Sequence, residues 1–190
     1  MKLASSQQLY AYWDALRGAR GAPERNDIEP GAIRGVLADT FILEFSLKGR
    51  FPLRVVGSRT NALFGRELRG TAFLDLWERA DADEVARVIE GAADGAQPFL
   101  VGARGAPDGA AELDLELLLL PLRHHGATHA RVLGGCAPAA NPPWLGLLPM
   151  RRLKIASLRA LDAAPSSGFV ARRPPDFRRR GHLFVYSSKN

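Results

Sequence analysis

Apolar residues recur along this chain first at helical spacing and then, for most of its length, at the spacing of strands. Leu9, Trp13 and Leu16 lie three and four residues apart, which places them on one face of an α-helix. Ser5-x-x-Gln8 reads as a capping box at its start, and Gly18 and Gly21 end it. The aromatic stripe of Tyr10, Tyr12 and Trp13 suits packing on the helix's own domain and self-association equally well. A second short helix is expected after Asp27-Ile28-Glu29-Pro30, with Pro30 in its first turn and Ile33, Val36 and Leu37 on its apolar face.

Residues 41–47 and 51–56 are β-prone and flank Lys48-Gly49-Arg50, a connection of hairpin length, so they should pair antiparallel. Glycines break residues 57–70 into short pieces that fit helical turns. Residues 73–77 read as another brief turn. Residues 81–93 form a longer helix, with Asp81 as its cap and Val85, Val88 and Ile89 on one face. Residues 99–103 are a strand candidate and Pro107-Asp108-Gly109 a turn. Glu112 to Leu117 alternates polar and apolar residues without a fault, the strongest strand pattern in the chain. A last strand is expected at 130–137, and the body closes at Pro142-Pro143-Trp144. Beyond it, 153–158 and 182–186 read as added strands, with irregular chain at 165–168 and Pro174-Pro175.

Composition narrows the class. The chain has 190 residues, 46% hydrophobic and 24% charged, enough for one domain with a real core plus an extension. Cys136 is the only cysteine, which excludes an intramolecular disulfide and any multi-cysteine metal site and suits a reducing cytoplasm. Residues Ser5 to Gln8 interrupt the apolar stretch that a secretory signal needs. The longest apolar run, Leu117 to Leu120, is closed by Pro121 and is far short of the roughly 20 residues that span a bilayer. A cytoplasmic protein not integral to the membrane is expected. The net charge of +6 is uneven: from Arg151 onward there are ten basic residues against two acidic ones, whereas the preceding body is slightly acidic.

Candidate chemistry is sparse. His124, His125 and His129 surround Gly126 in an expected turn, but no carboxylate or cysteine joins them locally, so solvated turn histidines are the better reading than a metal site. Cys136 with a histidine lacks a visible orienting group and oxyanion site, and Cys136 reads as a small buried hydrophobe. Gly102, Gly105 and Gly109 carry no phosphate-loop fingerprint. No enzyme is expected. The basic clusters Arg151-Arg152, Arg172-Arg173 and Arg178-Arg179-Arg180 suit a solvated face, or contact with anionic ligand, nucleic acid or membrane. No recognition helix or zinc-finger spacing backs sequence-specific DNA binding.

Two strands, a run of short helices ending in a longer one, and three further strands is the element order of a PAS domain. Asn61-Ala62-Leu63-Phe64-Gly65 through Leu68-Arg69-Gly70 resembles the family's short helix with its aromatic-glycine end and following Leu-x-Gly. Tyr12-Trp13, Arg25-x-Asp27-Ile28-x-Pro30, Arg54-x-x-Gly57-Ser58-Arg59, Leu74-Asp75-Leu76-Trp77, Leu119-Leu120-Pro121-Leu122 and Trp144-Leu145-Gly146 together resemble one bacterial PAS family of largely stand-alone proteins with a helical leader. The resemblance covers roughly residues 8 to 147, and residues 182–186 match the family's end more weakly.

The resemblance implies an α+β fold: a five-stranded antiparallel sheet with short helices on one face, divided into a helical leader (1–38), a PAS-like core (39–147) and a basic, partly irregular extension (148–190). It implies a sensory or regulatory protein of bacterial signalling that binds a small ligand, a protein partner or a second copy of itself, probing them with the leader or an exposed sheet face. Binding of an anionic ligand or nucleic acid through the basic tail is the alternative. Residues 81–93 contain no histidine for haem, and Cys136 lies in a strand rather than in the short helices where a photoactive flavin domain places its cysteine, so the cofactor is unknown. Arg54, Arg59, Phe64 and Trp77 sit where a PAS pocket would be lined, and core packing of Phe64 and Trp77 with surface pairing of the arginines accounts for them at least as well.

Overall fold

The four leucines 117–120 show how the chain is organised, because each is at most 1% exposed although they follow one another directly. They lie in a strand, where successive side chains point to opposite faces. Leu117 and Leu119 enter one hydrophobic core and Leu118 and Leu120 a second one. The sheet is therefore buried on both sides, and an unbroken apolar run replaces the alternation of a half-exposed strand.

The computed structural model describes residues 1–45, 50–124 and 127–161, with the backbone alone at 124 and 127–130. Its strands are β1 (Thr40–Glu44), β2 (Leu53–Val56), β3 (Phe99–Gly105), β4 (Leu113–His124), β5 (Ala127–Pro138) and β6 (Lys154–Ala160). They form one sheet in the order β2-β1-β5-β4-β3-β6, antiparallel throughout. The five expected strands are present, and β6 adds a sixth beside β3. The extension beginning at 148 thus contributes to the sheet. Residues 46–49, 125, 126 and 162–190, which include most of the 48–50 connection, the 182–186 strand and the arginine clusters at 172–173 and 178–180, lie outside the described residues.

On the inner face pack α2 (Ser58–Leu63), a 3-10 turn at Phe73–Leu76 and α3 (Arg79–Gly95). Val85, Val88, Ile89 and Ala92 form the buried stripe of α3, as their helical spacing requires. The outer face is covered by α1 (Ala4–Arg17), which buries Leu9 and Trp13 against Ile42, Leu118, Leu120 and Leu133. The leader helix therefore packs within its own chain, and the sheet face expected to be open to partners is occupied by it.

Three local expectations need correction. Ser5 does not cap α1: the helix starts from Leu3, no side chain of the leader caps it, and the Glu116 carboxylate of β4 instead accepts the N–H groups of Lys2 (2.8 Å) and Leu3 (3.2 Å). The second helix is replaced by 3-10 turns at Arg25–Asp27, Pro30–Ile33 and Leu37–Asp39, which put Ile33 and Val36 on the sheet without the length of a helix. Asp81 is not the cap of α3 but lies in its first turn, where it accepts the Ile155 N–H of β6 at 2.9 Å.

Pro121 does not end β4, which runs on to His124. Pairing with β3 stops at Leu119 opposite Phe99. Past that point the carbonyl of Pro121 accepts the Trp13 indole N–H (2.8 Å), and the leader's Pro23 carbonyl accepts the Arg123 N–H (2.9 Å). A proline is tolerated in a central strand where one neighbouring ladder has ended.

Candidate functional site: the two faces of the sheet

The four residues proposed to line an interior pocket are not brought together. Phe64 and Trp77 are buried in the inner core. Arg54 and Arg59 point outward and are ion-paired, Arg54 to Glu44 (2.8 Å) and Arg59 to Asp39 (2.6 Å). The space between sheet and helices is filled by rings: Phe41 stacks on Phe73 with centroids 5.2 Å apart, and Phe73 meets Trp77 edge-on at 5.9 Å. A ligand entering there has to displace side chains. Two buried donors, the Trp77 indole nitrogen and the Thr60 hydroxyl, have no hydrogen-bond partner among the described residues.

The family-like motifs are explained by packing. Gly57 opens α2 against the preceding turn, and a Cβ there would lie far inside contact distance of the Ala38 carbonyl. That approach lets Arg59 clasp Asp39, which is only 6% exposed, with two nitrogens at 2.6 Å. The hydrogen bond to Asp39 raises the Arg59 pKa above the ordinary guanidinium value against the opposing effect of burial. Asn61 donates to Glu67 and accepts the Leu68 N–H, both at 3.1 Å, which folds the Phe64-Gly65 segment back and drives Leu68 into the core. Gly65 takes φ +61 at this bend, a conformation that suits glycine.

On the outer face the leader is held by polar contacts at both ends of an apolar middle. Tyr12 donates to the Glu29 carbonyl and its hydroxyl accepts the Glu29 N–H at 2.7 Å. Arg17 lies over the Trp13 ring, 5.3 Å from its centroid, and pairs with Asp14 at 2.6 Å. At the helix start, burial pushes the Glu116 carboxyl up, but the N–H groups of Lys2 and Leu3, the Ser6 hydroxyl and the terminal ammonium outweigh it and hold the carboxyl below its usual range. Charge-assisted bonds of this kind are the stronger class.

β5 connects the two faces. Val132 and Cys136 enter the inner core and Leu133 the outer one. Between them, Gly134 receives the Phe41 ring from inside so closely that a Cβ would overlap it, and Gly135 receives the end of Leu9 of the leader from outside, where a Cβ would require that methyl to shift. At this glycine pair, residues of the two cores close on one strand from opposite sides. The alternation of Val132-Leu133 gives no sign of it. The only signal in the sequence is the pair of adjacent glycines inside a strand pattern, which marks a close approach to the backbone. The Cys136 thiol is fully enclosed, and burial, aided by the Asp39 carboxylate, pushes it up to about 12. The side chains of the three turn histidines lie outside the described residues.

An antiparallel sheet carrying short helices and one longer helix on its inner face, with a helical leader, is the α+β architecture of the PAS fold. A family model described as "PAS domain" matches residues 1–137, leader included, and the chain belongs to that family. Solved structures similar to it include an RsLOV variant (16% identity, TM-score 0.45, covering 58% of this chain and 67% of that one). Others are a light-oxygen-voltage domain described with a flavin analogue (16%, 0.46, 58% and 84%) and the PAS domain of a protein from Colwellia psychrerythraea (15%, 0.42, 58% and 97%). No curated protein matches the sequence. No described helix is long and apolar enough to cross a membrane.

Proposed function

We propose that this chain is a regulatory PAS module of a signalling system, with no turnover of its own, whose output element is the leader docked on the outer face of the sheet. The observation that supports this is β5, where Phe41 and Leu9 press on adjacent glycines from opposite sides. A shift of the inner ring cluster moves β5, and the leader must follow or loosen. Released, α1 exposes Leu9 and Trp13, an apolar stripe suited to a protein partner or a second copy of the chain. The filled interior favours sensing by protein contact over a preformed small-molecule cavity, and a ligand that did enter would act by displacing the Phe41, Phe73 and Trp77 rings.

Native mass spectrometry of the freshly purified full chain tests the proposal, since one spectrum reports bound small molecules and self-association. A dimer or a ligand-bound species supports it. An empty monomer at every protein concentration rejects both a resident ligand and self-association as the input. The rival reading, anion binding through the basic tail, is separated by a chain ending after Leu161, which removes the tail and keeps β6.

A further inference from the structure

Outside both cores, the turn after β5 displays two leucines to solvent. Leu147 is 79% exposed and Leu148 46%, the largest exposures of any bulky apolar residue described. The turn is tightly built. Leu147 and Leu148 both donate to the Trp144 carbonyl (2.9 and 3.0 Å), Leu145 donates to that of Pro142 (3.0 Å), and Gly146 takes φ +79. Its base is anchored: Trp144 and Leu145 pack on the inner core, Pro149 lies against Gly65, and the Met150 N–H reaches the Leu63 carbonyl at 2.8 Å. The exposed apolar tip thus stands on a hydrogen-bonded turn with an anchored base.

Cations lie beside its base. Arg66, next to Gly65, and Arg151 and Arg152, next to Met150, line one open concavity. Arg151 pairs with Asp108, whereas the Arg66 and Arg152 side chains have no partner among the described residues. Asp75 and Glu78 border the same concavity, and Asp75 is within 3.8 Å of Arg50. From Arg151 on, the sequence continues with a strong excess of basic residues.

We propose that this turn is a membrane-surface contact: Leu147 and Leu148 enter the headgroup and acyl boundary of an anionic bilayer while Arg66, Arg151 and Arg152 meet its phosphates. An exposed apolar tip needs no complementary pocket in a fluid interface, and nearby cations add attraction to anionic lipid. A single acyl-sized anchor holds a protein only marginally, so two weak signals acting together fit a reversible peripheral contact. This inference is independent of the regulatory reading.

The test is flotation of the full chain with vesicles of phosphatidylcholine alone and with about 30% phosphatidylserine. The tail's own charge is removed in a second protein carrying Arg172, Arg173, Arg178, Arg179 and Arg180 as glutamine. Both proteins are expected to bind the anionic vesicles, less well as salt rises from about 0.05 to 0.3 M, and not the neutral ones. Leu147→Ser/Leu148→Ser should weaken binding about tenfold or more, and Arg66→Gln/Arg152→Gln should lower it severalfold with a flatter salt dependence. Brominated lipid should quench Trp144, since Trp13 and Trp77 are enclosed. Binding that survives the leucine substitutions unchanged, binding lost entirely with the tail arginines, binding only to an acidic protein, or no vesicle binding each overturns the proposal.

Discussion

Replacing Trp13 by phenylalanine keeps most of a ring and removes one donor, the indole N–H that bonds the Pro121 carbonyl at 2.8 Å inside the outer core. Trp13 is 0% exposed, so the abandoned carbonyl has no water to turn to, and leaving such an acceptor unpaired costs about 1–3 kcal/mol. Trp13→Ala leaves the cavity of a whole indole as well, about 3–5 kcal/mol in total for a buried tryptophan, and also removes the surface that Arg17 covers. Urea unfolding followed by far-ultraviolet circular dichroism measures both. With a slope of about 2 kcal/mol/M, the midpoint should fall by roughly 1 M for Trp13→Phe and by about 2 M for Trp13→Ala, with the slope unchanged. If Trp13→Ala moves the midpoint by less than about 0.2 M, the leader contributes nothing to stability, and its docking as described here is wrong.

Gly134→Ala forces a Cβ into the Phe41 ring and should destabilise by about 1–3 kcal/mol in the same urea assay, whereas Gly31→Ala, which meets nothing within 4 Å, should be nearly silent. Arg59→Ala strands the Asp39 carboxylate, and because Arg59 is itself largely exposed the loss should be modest, about 1–2 kcal/mol; Asp39→Asn added to Arg59→Ala should recover part of it. Cys136 should resist a thiol reagent at pH 8 in the native chain and react at once in urea. Because folding raises its pKa to about 12 from about 8.5 in the unfolded chain, its contribution to stability is complete below pH 8.5 and declines from there up to pH 12; in Cys136→Ala that component of the alkaline decline should disappear.

Strands and the long helix were legible because their signals are local. The alternation of residues 112–117, the hairpin-length break at 48–50 and the stripe of Val85, Val88 and Ile89 each suffice to name an element. What stayed hidden depends on distant chain. Glu116 reads as an exposed strand residue until the leader's N–H groups arrive at it, and Ser5 reads as a cap because the true one lies 113 residues from Leu3. The second leader helix failed because Ile33 and Val36 are placed by the sheet beneath them, which rewards 3-10 turns of the right reach over helical propensity. Arg54 and Arg59 read as pocket residues from their place in the motif, yet their acidic partners Glu44 and Asp39 lie on and before β1, where no spacing rule links them. The double-sided burial was written in Leu117 to Leu120, since a run with no polar position inside a strand has two covers.

The proposed role rests on coupling of the inner core to the leader through β5. Hydrogen exchange of the α1 amides tests it in the full chain, comparing Val132→Ala on the inner face of β5 with Val88→Ala on α3, at matched global stability. Coupling through β5 predicts that Val132→Ala speeds exchange across Ala4–Arg17 by about tenfold relative to Val88→Ala. Equal exchange in the two variants, with α1 protected as in the unaltered chain, would contradict it.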